Sequence, residues 1–122
     1  IFINPPYSSW RRWVNKVLPW YQNPERGQEQ DTEVVLVLPR RSTTLYVDPP
    51  PPAKIELGRV MFDPPPGMKI SSPREEHELW YYGTSPLRWC RRMLEVLREH
   101  APPPNRHCRG WVNEQKVKEA LR

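Results

Sequence analysis
The chain has 122 residues, enough for one domain, but only 37% are hydrophobic, so its core is small for its length. A formal charge of +5 favours a polyanionic partner, with nucleic acid among the candidates. Residues 1–122 contain no apolar run long enough to span a bilayer and none that reads as a signal peptide, and Cys90, His100, His107 and Cys108 include no pair at zinc-ligand spacing, so no metal pattern is present.

In chain order, Ile1-Phe2-Ile3 reads as the end of a buried strand that stops at Asn4-Pro5-Pro6-Tyr7. The two prolines fix two φ angles and remove two backbone donors, so neither a strand nor a helix can follow at once. The corner is therefore stiff, and it presents an amide, carbonyl oxygens and an aromatic face together. That set suits a flat, nitrogen-bearing group such as a nucleobase. From about Ser9 to Gln22 the apolar positions Trp10, Trp13, Val14, Val17 and Tyr21 follow helical spacing, with Ser8 or Ser9 as N-cap. Pro19 is expected to end or bend this helix near Val17. Trp10, Trp13 and Trp20 are assigned to packing. Residues 23–30 are polar and read as a loop.

Glu33-Val34-Val35-Leu36-Val37-Leu38 is the clearest strand, and its continuous apolar run predicts cover on both faces. Strand, helix, strand in this order is a βαβ unit, so the two strands are expected to be parallel. Pro49 to Pro52 is a spacer. Residues 54–62 and 78–82 read as two strands of an antiparallel hairpin with a long connection. Ser85-Pro86 opens a basic amphipathic helix to His100, with Leu87, Cys90, Met93, Leu94 and Leu97 on its inner stripe. After the linker 101–104, a short helix is predicted over 112–121. Seventeen prolines against five glycines make the connections rigid. The two cysteines fit free thiols in a reducing cytoplasm or one disulfide, and the composition favours thiols.

In an open parallel sheet, ligands bind beyond the carboxyl ends of the strands. Asn4 and Pro39 each follow a strand, so Arg40-Arg41-Ser42-Thr43-Thr44 is expected beside Asn4-Pro5-Pro6-Tyr7. A doubly basic, hydroxyl-rich loop next to an amide and a ring suits a phosphate beside a base.

Asn4-Pro5-Pro6-Tyr7 resembles the catalytic signature of S-adenosylmethionine-dependent methyltransferases that modify exocyclic or amide nitrogen. The wider pattern is similar to the phage-type DNA N6-adenine methyltransferases. It comprises Phe2 to Ser8 with a Trp-rich helix behind it, Val34 to Arg41 with Thr43-Thr44, and Ile55 to Phe62 containing Gly58-Arg59. The resemblance spans roughly residues 1–83 and implies the later half of a Rossmann-like sheet, with parallel strands and a terminal antiparallel hairpin. Residues 84–122 would then form a helical extension.

The resemblance further implies that the Asn4 side chain and the Pro5 carbonyl accept hydrogen bonds from an adenine amine. These acceptors would stabilise the charge that develops as the amine is methylated. Tyr7 would stack on the flipped base, and Pro5 and Pro6 would hold the geometry. Arg40, Arg41, Ser42 and Thr43 would contact DNA, and Asn4 would also border the cofactor. No metal is implied, and the location would be the cytoplasm of a bacterial or phage-infected cell.

The departure from the family is that the five glycines contain no G-x-G pair to cradle S-adenosylmethionine. The expectation is a chain lacking the cofactor-binding half, most simply from its N-terminal side. Other readings are an RNA-base or protein-glutamine N-methyltransferase, or a basic binding module without activity.

Overall fold
The computed structural model describes residues 1–5, 9–22, 33–39, 50–59, 66–67, 76–101, 108–114 and 117–121. The order of elements is β1 (Phe2–Ile3), α1 (Trp10–Gln22), β2 (Val34–Pro39), β3 (Ala53–Arg59), β4 (Glu76–Tyr82), α2 (Pro86–His100), β5 (Arg109–Glu114) and β6 (Val117–Leu121). The strands form one sheet in the order β1-β2-β4-β3-β5-β6. The fold is α/β with a mixed open sheet and a helix on each side.

The first βαβ unit forms as its sequence predicts. β1 pairs parallel to β2 through Phe2 opposite Val35 and Ile3 opposite Leu36. The Ile1 nitrogen donates to the Glu33 carbonyl at 2.7 Å, and the Val35 N–H donates to the Ile1 carbonyl at 2.8 Å. The hairpin expectation also holds: β3 and β4 are antiparallel, from Ala53 opposite Tyr81 to Arg59 opposite Glu76. β4 inserts between β2 and β3 and runs against both. β1, β2 and β3 therefore point the same way.

Alternation along β2 and β4 splits the core into two layers. Val34, Leu36, Leu38, Trp80 and Tyr82 face α1 and bury Val14 and Val17. Val37, Leu79 and Tyr81 face the other way, with Ile55 and Val112, against Cys90 and Leu94 of α2. This double cover explains the unbroken apolar run of β2. Cys90 and Cys108 are both buried free thiols. Burial pushes the Cys108 thiol above its ordinary pKa, an effect only partly opposed by Arg98 and a backbone hydrogen bond.

Two helical expectations are corrected. Of the two outcomes expected at Pro19, an end or a bend, the end does not occur: α1 runs through Pro19 to Gln22. Trp20 and Tyr21 pack on the core layer beneath it, and Tyr21 meets Tyr82 edge to face at 5.4 Å. That packing outweighs the hydrogen bond the proline removes. At the other end, where a helix was expected over 112–121, the described residues are strand. Arg109–Glu114 pairs with β3 and with Val117–Leu121, forming an antiparallel extension of the sheet. The stretch 109–113 carries strand-type burial, with Gly110 and Val112 inside and Arg109 and Asn113 outside. Gly110 is required there because a Cβ would run into the Cys90 sulfur and lie 3.2 Å from Leu94. The part of the chain expected to be a separate helical extension thus contributes α2 and two strands to the same sheet.

β1 is an edge strand, and Ile1 and Phe2 are 73% and 67% exposed. Unpaired apolar edges template association. A Phe2→Lys variant is expected to lose most of the concentration-dependent self-association of the parent in sedimentation velocity. A parent chain that stays monomeric at every concentration would defeat this expectation.

Candidate functional site
The parallel β1–β2 pair sends both chain exits to one edge of the sheet. Asn4 is exposed and Pro5 is buried just beyond Ile3, while β2 ends at buried Pro39. Because β4 is antiparallel to β2, its first residues share this edge: His77 lies opposite Pro39, and Glu78 opposite Leu38. β3 arrives there with Gly58 and Arg59, opposite His77 and Glu76. Gly58 has φ 76° within an irregularity of the β3–β4 ladder, the left-handed conformation that glycine adopts without a steric cost.

Of the residues expected to form the site, Asn4 and Pro5 are at this edge. Pro6, Tyr7, Arg40, Arg41, Ser42 and Thr43 lie outside the described residues. The carboxyl-end placement inferred for Asn4 therefore stands on the strand directions, and Arg40-Arg41-Ser42-Thr43 is known from sequence only.

The edge also holds a charged group that sequence reasoning did not single out. Glu78 is buried, 1% exposed. Lys54 lies 3.6 Å from its Oε1, and the Trp80 indole N–H donates to the same oxygen at a long 3.4 Å. The Lys54 ammonium in turn sits 5.1 Å from the centre of the Trp111 ring. Glu78, Trp80 and Lys54 share the α1 side of the sheet, since Lys54 is opposite Trp80 and Trp111 is opposite Lys54. The signal available in the sequence was a carboxylate at the head of an aromatic strand, Glu78-Leu79-Trp80-Tyr81-Tyr82. Chemically, this group places a fixed negative charge with a fixed counter-ion two strands away from Asn4.

Farther along β4, Tyr82 is fully buried. Its hydroxyl has no hydrogen-bond partner among the described residues. Burial, and then the neighbouring Tyr21, pushes its phenol well above the ordinary value, so it stays protonated.

A bound S-adenosylmethionine requires close backbone approach at the turn leaving a parallel strand. The described glycines with positive φ are Gly58, inside β3, and Gly67. Neither follows β1 or β2, so the described residues do not fit that cofactor. Among the described residues, no group of His, Cys, Asp and Glu could hold a metal ion, and no helix is long and apolar enough to cross a membrane. No family model, curated protein or solved structure matches the chain.

Proposed function
We propose that this chain is the part of a DNA adenine N6-methyltransferase that receives the target base. The observation that carries the reading is Asn4-Pro5 at the carboxyl end of a strand paired in parallel with β2. There Asn4 is exposed, and its amide oxygen can accept a hydrogen bond from an exocyclic amine. Pro5 is buried and, as a proline, restricts the backbone at Asn4. A fixed acceptor helps most where positive charge develops on the amine.

Further support comes from the common direction of β1, β2 and β3, with β4 reversed between the last two, as parallel strands plus a terminal hairpin require. The +5 charge and the Arg40-Arg41 loop favour nucleic acid over a protein glutamine as substrate. On this reading the S-adenosylmethionine site is supplied from outside residues 1–122.

The test is methyl transfer to DNA, followed by nucleoside analysis. The 122-residue chain alone is expected to give little N6-methyladenine. Joined to a cofactor-binding segment encoded upstream, it is expected to turn over. Asn4→Ala should then lower kcat by about 10²- to 10³-fold, the cost of removing one such hydrogen-bonding group, with cofactor affinity nearly unchanged. Equal loss of both, or robust turnover by the short chain, overturns the proposal. One observation favours a second reading, a basic nucleic-acid-binding module without activity: the unsuitable cofactor geometry. Such a module would ignore S-adenosylmethionine in both forms.

A further inference from the structure
The edge opposite Asn4 carries a cavity of about 410 Å³, between the residue that leads into β2 and the start of α2. It is lined by Glu33, Thr84, Ser85, Arg88, Trp89 and Arg92, among others. Its size falls within the range of small-molecule sites, roughly 300–1,000 Å³. We propose that it binds a nucleotide, with the phosphate on Arg88 and Arg92, the base on Trp89 and a sugar or base N–H or O–H on Glu33. This site is separate from the amine-binding edge and does not depend on the methyltransferase reading.

Arg88 and Arg92 are four residues apart on α2, so they project from one face of the helix. Both are exposed, and among the described residues neither has an ion-pair partner. Like charges at this spacing oppose each other. A phosphate between them removes that repulsion and meets two planar guanidinium forks.

Trp89 has one face on Tyr81, with ring centroids 4.8 Å apart and planes 18° from parallel. Tyr81 is fully buried, so the indole orientation is fixed from beneath. Trp89 is partly exposed and lines the cavity, where a base can contact the indole.

Glu33 supplies the third element. The Tyr81 hydroxyl donates to Glu33 Oε1 at 2.8 Å and accepts the Ser85 N–H at 3.0 Å. One carboxylate oxygen is therefore held by a fixed relay. The other has no hydrogen-bond partner among the described residues. Ser85 makes no side-chain capping bond at the start of α2, and it lines the same cavity. A carboxylate lining the same cavity as two guanidiniums disfavours a bare anion and favours a ligand with a phosphate at one end and hydrogen-bond donors at the other. A nucleotide carries both, joined by a ring system that can stack.

The experiment titrates the 122-residue chain with adenosine monophosphate, inorganic phosphate and a short single-stranded oligonucleotide. Calorimetry gives the affinities, and the Trp89 indole N–H resonance reports the site. Adenosine monophosphate is expected to shift that resonance and to bind at least about tenfold more tightly than inorganic phosphate. Arg88→Gln and Arg92→Gln, both at exposed positions, should each weaken it by about tenfold, the loss of one charge-assisted contact. Glu33→Gln should narrow the gap between nucleotide and phosphate.

Stronger binding of the oligonucleotide, lost in the arginine variants, identifies a strand as the source of the nucleotide. Binding of the monophosphate alone identifies a free nucleotide. Equal affinity for phosphate and nucleotide, arginine variants that bind like the parent, or an unmoved Trp89 resonance each overturn the proposal.

Discussion
Lys54→Met is expected to destabilise the fold by about 3 kcal/mol, the low end for a broken buried ion pair. Glu78 is buried, and its counter-ion is Lys54 at 3.6 Å. Removing the cation leaves a carboxylate in the sheet whose remaining contact among the described residues is the long one from Trp80. The low end applies because the Lys54 side chain is 35% exposed and water already weakens the pair. Lys54 also covers Trp111, so part of its contribution is packing, which Met retains.

The double variant Lys54→Met/Glu78→Leu should be far less damaged than the sum of its singles, because no charge is left behind. Urea denaturation of all four proteins gives the coupling energy. Strict additivity would mean that Glu78 does not depend on Lys54. Were the double variant as stable as the parent, the pair would be retained for its position at the Asn4 edge rather than for stability.

Gly83→Ala is expected to be comparably severe, again about 3 kcal/mol, at the upper end for overpacking. Gly83 is buried, and a Cβ there would lie 2.6 Å from Tyr81 Cζ. A flexible side chain could turn aside. This ring cannot: it is fully buried, stacked on Trp89, and tied through its hydroxyl to Glu33 and Ser85. Tyr81→Phe removes the hydroxyl but keeps the ring carbon, so it should not rescue Gly83→Ala. Thermal denaturation of the two single variants and the double distinguishes the cases. Full rescue by Phe would place the conflict at the hydroxyl alone. Loss of the ring position should also disturb the nucleotide cavity, whose Glu33 and Trp89 both rest on Tyr81.

Most of the frame could be read from local patterns. The helical spacing of Trp10, Val14, Val17 and Tyr21 and the run Val34 to Leu38 each specify an element without reference to the rest of the chain. Together they specify a parallel crossover and hence the edge on which Asn4 lies. The strands expected at 54–62 and 78–82, and described at Ala53–Arg59 and Glu76–Tyr82, were equally legible from alternation and aromatic content. The β5–β6 hairpin was not, because it is short and polar, and its main determinant is the open side of β3, a tertiary partner. The run of α1 past Pro19 depends similarly on contacts made by Trp20 and Tyr21. The ion pair of Glu78 was hidden for another reason: Lys54 is distant in sequence, and only the β3–β4 register brings the two together. The cavity beside α2 depends on a relay from Ser85 through Tyr81 to Glu33, which no spacing rule encodes.

The insertion of β4 between β2 and β3 has a consequence during synthesis. A chain emerging from the ribosome presents Val34 to Leu38 long before residues 76–82 exist to pair with it. Until then β2 has a two-residue neighbour on one side and nothing on the other, although both of its faces are apolar. Such segments are sticky while they wait. Yield in a cell should therefore depend on how quickly translation reaches Tyr82, so slow codons placed between β2 and β4 should send more of the product into inclusion bodies than the same codons placed after α2.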